Sequence, residues 1–149
     1  EAALRTVYRV LEGKEAPADF YQLRPVRGLS NRKEAEVTIA GKKLRVCILY
    51  GTAAAEEFLA EDMNGYHFVE VMTCPGGCIS GAGQPDCGSV PVSDVVRKKR
   101  IQSLYQADEQ AERRNSMDNP EIGTIYHEFF KEPLSMLSEK LLHTTYKRK

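Results

Sequence analysis

Residues 44–78 read LRVCILYGTAAAEEFLAEDMNGYHFVEVMTCPGGC, and this stretch decides the fold. Leu44, Val46, Ile48 and Tyr50 form a β-rich run that Gly51 ends, and residues 66–72 form another. Between them Thr52 can cap a short helix with a stripe of Ala55, Phe58 and Leu59, and Asn64-Gly65 is a turn. The link, residues 51–65, exceeds the dozen or so residues that a parallel crossover needs, so strand, helix and parallel strand are expected. Upstream, Val37 and Ile39 alternate with Glu36 and Thr38, and Ala40-Gly41-Lys42 turns the chain into the Leu44 run as a hairpin. Ligands of open parallel sheets bind beyond the carboxyl ends of the strands, so the residues just after Met72 stand in a privileged place.

Those residues are TCPGGCISGAGQP, the one chemically loaded segment. Cys74 and Cys78 lie four positions apart, near one helical turn, so both thiols can point the same way. Gly76 and Gly77 permit positive φ, remove side chains and leave N–H groups that can bond to sulfur. Gly81, Gly83 and Gln84-Pro85 continue a theme of close backbone approach. A structural zinc site prefers paired CxxC motifs, whereas iron–sulfur ligation suits thiolates in a glycine-rich turn. From the residues alone, metal binding and a buried cysteine pair beside a glycine turn both stay open.

The flanks are helical in pattern. Leu4, Val7, Tyr8 and Leu11 make one apolar face, and Gly13 sits where a left-handed cap belongs. No capping residue precedes that face and the chain opens on Glu1, which predicts a piece of a longer chain or a matured subunit. Asp94 is expected to cap a helix running through Arg114, with Val95, Ile101, Leu104, Tyr105 and Ala111 on one face. Arg97-Lys98-Lys99-Arg100 then forms a solvated face. Asn119-Pro120 starts another helix, striped by Ile122, Ile125, Tyr126, Phe129 and Phe130, and Leu134, Leu137, Leu141 and Leu142 continue in a third.

Among 149 residues, 21 basic and 21 acidic side chains give a net charge of zero, which argues against long-range steering of nucleic acid. No apolar run approaches the ~18–20 residues of a membrane span, and residues 1–15 carry charge throughout, unlike a secretory leader. Four cysteines are too few for a disulfide scaffold, and they point to thiolate ligands in a reducing cytosol. Cys47, among strand residues, is expected in the core, and Cys87 as a solvent-side thiol. His67, His127 and His143 read as surface, packing or hydrogen-bonding residues.

The segment YHFVEVMTCPGGCISGAGQP resembles the third signature of the iron-only (FeFe) hydrogenases, whose pattern is close to EVMACPGGCxxGGGQP. NPEIGTIYHEFFKEPLSMLSEKLLHTTY resembles that family's small-subunit region, EAALRTVYRVLEGK a catalytic-domain helix, and VRGLSNRKEAEVTIAGKKLRV the hairpin after it. The resemblance implies an α/β fold, the βαβ portion of the catalytic domain over residues 1–92 followed by a helical, belt-like tail over residues 93–149. It also implies an H-cluster, a four-iron cubane bridged to a di-iron subcluster with carbon monoxide, cyanide and a dithiolate. Cys74 matches its third cysteine ligand, Cys78 the fourth, bridging ligand. Met72 matches a methionine against the di-iron unit, and Gly76 and Gly77 the close-approach glycines.

The segments carrying the first two ligands, of the TSCCPxW and PCxxKxxE types, have no counterpart here. The resemblance therefore implies a chain inactive by itself that works with a companion polypeptide or segment and an electron carrier such as ferredoxin or a redox subunit. The cytoplasm of an anaerobic microbe is the expected setting. Ser80 and Ala82 stand where the pattern commonly has residues such as glycine, and Glu139 and Thr145 replace two histidines of the family's tail. Narf/Nar1-like proteins of cytosolic iron–sulfur assembly, and a purely structural subunit, are the rival readings. Both PGG glycines and the closing Lys147-Arg148-Lys149 favour the hydrogenase over the former.

Overall fold

The computed structural model describes residues 1–61 and 63–146; Lys147, Arg148 and Lys149, which entered the comparison with the Narf/Nar1-like proteins, lie outside the described residues. Two compact units result, one of Glu1 with Ala3–Ala111, the other of Ala2 with the residues from Glu112 onward.

The first unit is built on a three-stranded mixed sheet. Strand β1 (Arg32–Ile39) pairs antiparallel with β2 (Lys42–Tyr50) around Ala40 and Gly41, both at positive φ. Helix α2 (Thr52–Ala60) then carries the chain to β3 (Phe68–Met72), which pairs parallel with β2 and sets Met72 opposite Tyr50. The sheet order is β1-β2-β3, so the expected α/β crossover is present. β2 is covered on both faces, which explains its nearly unbroken apolar run. Val46 and Ile48 join Val37, Ile39 and the N-terminal segment on one side, and Cys47 and Leu49 meet Phe58 on the other. Cys47 is fully buried, a core thiol as expected. β3 is an edge strand, and Phe68, Val69 and Val71 remain 37–56% exposed.

Helix α1 (Ala2–Glu12) ends at Gly13, whose left-handed conformation lets its N–H donate to the Arg9 carbonyl. Its apolar face is only partly used: Leu4 is buried, while Val7 and Leu11 are exposed. The most deeply buried residue of the helix is Arg5, which donates from both Nη atoms to Asp108, at 2.8 and 3.0 Å. Asp108 lies on α3 (Asp94–Gln110), so this buried pair ties the two helices together.

Four sequence expectations are corrected. Gly51, not Thr52, is the N-cap of α2, and the cap has no side-chain hydrogen bond. Ser93 rather than Asp94 caps α3, its hydroxyl accepting from the Val96 N–H, and the helix stops at Gln110 rather than Arg114. The faces of α3 match the expectation only in part: Ile101 and Tyr105 are half-buried and Lys98 and Lys99 exposed, but Val95 and Leu104 are exposed and Arg97 and Arg100 turn inward. Arg100 turns inward because two loop carbonyls, of Ile79 and Pro85, accept its guanidinium N–H groups.

In the second unit Asn119 accepts from the Glu121 N–H and Pro120 opens α4 (Pro120–Ile125), which widens into a π turn over Tyr126–Phe130. Ser135 caps α5 (Met136–Leu142); Leu134 lies before that helix at positive φ, not within it. Ile122, Ile125 and Phe129 are exposed while Tyr126 and Phe130 are half-buried, so the apolar stripe is only partly covered among the described residues.

Candidate metal centre at the cysteine bend

The chain leaves β3 at Met72, whose carbonyl accepts a 2.7 Å hydrogen bond from the Gly51 N–H. That bond holds the ends of β2 and β3 side by side and fixes where the bend begins. Gly76 and Gly77 both take left-handed conformations, φ 81 and 78°, and a single 3-10 turn runs over Gly77–Ser80. The Gly77 N–H donates to the Cys74 carbonyl at 2.8 Å, so that amide is not free for sulfur as expected from the sequence. The Gly81 N–H donates to the Cys78 carbonyl at 3.2 Å.

Cys78 is exposed and Cys74 partly so. Among the described residues no group of three or more His, Cys, Asp or Glu side chains gathers anywhere, so the two cysteines are at most part of a ligand set. Gly77 is enclosed: a Cβ there would lie 2.8 Å from both Met72 Sδ and Tyr50 Cε1. Met72 is therefore packed beneath the bend, against Tyr50 and the core. Gly81 sits over Cys74, where an added Cβ would come within 4.0 Å of Sγ.

Four further residues shape the bend, and sequence reasoning assigns none of them this role. Arg97, paired with Asp94, runs its Cδ to within 3.3 Å of where a Gly76 Cβ would lie. Arg100 donates to the carbonyls of Ile79 and Pro85. Their spacing of three on one helix face was the available signal, hidden in a run read as solvated. Beneath the bend, the buried Lys33 donates from Nζ to the Gly28 carbonyl at 2.7 Å and to the Tyr50 hydroxyl at 3.2 Å. Burial lowers the Lys33 pKa and raises that of Tyr50. Strand alternation from Ala35, Val37 and Ile39 already places Lys33 on the inward face.

The donor set suits a cluster. Two soft thiols sit on a bend with little side-chain bulk, cationic Arg97 and Arg100 stand beside it, and Ser80 Oγ and Arg97 Nε are buried without hydrogen-bond partners. Cys87 lies apart, with Sγ 3.7 Å from the Ser89 hydroxyl. Hydrogen bonding by Ser89 holds its thiol below the ordinary range, while burial, the leading cause, pushes Cys47 up. Thiolate is the reactive form, so alkylation of native protein by iodoacetamide should reach half its limiting rate at a lower pH for Cys87 than for an ordinary thiol. Cys47 should label only on unfolding. Peptide mass spectrometry of timed samples checks both, and equal native labelling of the two contradicts them.

The model described as "Iron only hydrogenase large subunit, C-terminal domain" matches residues 1–82, more than half of the chain, and "Iron hydrogenase small subunit" matches residues 94–149. The NADP-reducing hydrogenase subunit HndD of Solidesulfovibrio fructosivorans is 41% identical over 98% of this chain and 24% of its own length. Protein NAR1 of Arabidopsis thaliana is 30% identical over 98% of this chain and 31% of its own length. Among solved structures, apo FeFe-hydrogenase HydA1 from Chlamydomonas reinhardtii superposes with a TM-score of 0.72 at 29% identity, covering 97% of this chain and 42% of that one. The chain thus spans between a quarter and a third of these curated relatives' length. No helix among the described residues is long and apolar enough to cross a membrane. The chain belongs to the iron-only hydrogenase family, and matches the C-terminal domain of its large subunit followed by its small-subunit region.

Proposed function

We propose that this chain supplies Cys74 and Cys78 as two of the four thiolates holding the H-cluster of an iron-only hydrogenase, which interconverts dihydrogen with two protons and two electrons. The observation that carries this reading is the thiol pair, presented on a glycine bend beyond the carboxyl end of parallel strand β3. When bound, the cluster supplies the redox and hydrogen-activating chemistry. The chain's own residues would hold and orient it: Cys74 and Cys78 as thiolate ligands, Gly76 and Gly77 keeping the bend free of side-chain bulk, and Met72, packed under Gly77, as a soft apolar neighbour. Residues 1–92 form the catalytic-domain portion, residues 93–149 the small-subunit-like tail. The remaining ligands come from a companion segment or polypeptide, and electrons pass through a carrier such as ferredoxin. The exposed edge of β3 and the exposed Ile122, Ile125 and Phe129 are apolar surfaces of the kind such a companion buries. The cytoplasm of an anaerobic microbe is the proposed setting.

The match to NAR1 favours one rival, an iron–sulfur protein without hydrogen turnover. Infrared spectra of the complete protein, matured with the dedicated assembly proteins, separate the two. Bands from metal-bound carbon monoxide and cyanide, with hydrogen evolution, are expected. A protein with all four ligand segments that binds iron but lacks those bands and turnover overturns the hydrogenase reading in favour of the rival.

A further inference from the structure

Arg100 spans the mouth of the loop beyond Cys78. Its Nη1 donates to the Ile79 carbonyl at 2.7 Å and its Nη2 to the Pro85 carbonyl at 2.6 Å. Between these two acceptors run Ser80, Gly81, Ala82, Gly83 and Gln84, a stretch with little to hold it. Two backbone hydrogen bonds, Gly81 N–H to the Cys78 carbonyl and Gln84 N–H to the Gly81 carbonyl, are its own contribution. Ala82 and Gly83 are exposed, and Ile79 is the one deeply buried apolar anchor nearby. Glycine-rich backbone of this kind has high conformational entropy, so its shape must be imposed from outside. A planar guanidinium is suited to that task, since its fork bonds two acceptors at a fixed separation, whereas an ammonium is a single point. Arg100 stands on α3, itself anchored through Asp108 to the buried Arg5, so the fork is mounted on a fixed support.

We propose that Arg100 is a positioning residue, closing the 79–85 loop so that Cys78 is held at the geometry the cluster requires. The proposal rests on the functional reading given above. It assigns the first helix of the small-subunit region a task at the metal centre: bracing the large-subunit loop that carries the last ligand.

Amide exchange and iron retention in the complete protein test it. In Arg100→Ala, exchange over residues 79–86 should accelerate about thirtyfold, the effect of losing charge-assisted hydrogen bonds. Chelator-driven iron loss should accelerate about tenfold, as for other groups that orient ligands, and the electron paramagnetic resonance signal of the cluster should change shape. Arg100→Lys keeps the charge but reaches one carbonyl, so it should fall between Arg100→Ala and the unaltered protein. It also serves if the alanine variant does not fold. Exchange within twofold of the unaltered protein in both variants overturns the proposal. So does faster exchange with unchanged iron release and resonance, which would make the brace merely structural. If the unaltered protein retains no iron while exchange still responds to Arg100, the functional reading fails and the positioning role with it, leaving a structural brace.

Discussion

Replacing Cys78 with serine is expected to abolish hydrogen turnover in the complete protein while leaving the fold of this chain unchanged. The thiol is exposed and makes no hydrogen bond to the described residues, so its loss costs the fold little, within about 0.5 kcal/mol as for surface substitutions generally. In the proposed role its value lies in ligation. A thiol loses its proton near neutral pH when a metal binds, whereas a serine hydroxyl stays protonated and offers a hard oxygen that soft, sulfur-bound iron disfavours. Substituting groups that merely orient metal ligands typically costs 10–100-fold, so removing a proposed cluster ligand should cost more than roughly a hundredfold in turnover. Hydrogen evolution, iron content and thermal unfolding, measured on one preparation, check this. Turnover within tenfold of the unaltered protein contradicts the role of Cys78.

Gly77→Ala should produce the largest loss of stability at the bend. Two penalties act together. At φ 78° an alanine Cβ crowds its own backbone, about 1–2 kcal/mol, and here that Cβ also lies 2.8 Å from Met72 Sδ and Tyr50 Cε1. Relief means shifting a half-buried tyrosine that bonds Lys33, or a methionine packed on the core, and overpacking of this sort costs about 1–3 kcal/mol. The sum, roughly 2–5 kcal/mol, is a large part of a small unit's stability. Gly83→Ala is the matched control, since nothing lies within 4 Å of the added Cβ and its φ is not positive. Denaturant unfolding should separate the two variants clearly. Equal midpoints would mean that the bend yields freely and that Gly77 is not enclosed.

The sheet was legible because alternation and length are physical constraints that sequence displays directly. Val37 and Ile39 facing the core, the turn at Gly41, and a link long enough to cross over leave few arrangements open. The position of Cys74 and Cys78 at the end of β3 came from the same logic. The faces of α3 did so only in part. Arg100 turns inward to bond the Ile79 and Pro85 carbonyls, while Val95 and Leu104 on the same helix stay exposed. Periodicity registers apolar residues and is blind to that exchange. Arg5 was missed for a related reason: its partner Asp108 is 103 positions away. Lys33 could have been found, since strand alternation points it inward, but its neutral partners Gly28 and Tyr50 emerge only from the fold.

The bare rim of β3 bears on how this polypeptide can be handled. An edge with no strand partner among the described residues, flanked by Phe68, Val69 and Val71, is an adhesive seam onto which an extended segment can zip. Produced alone at high concentration, such a chain is driven toward stacking on its own copies. Synthesis alongside the proposed companion segment, if it covers that seam, is therefore the physical remedy.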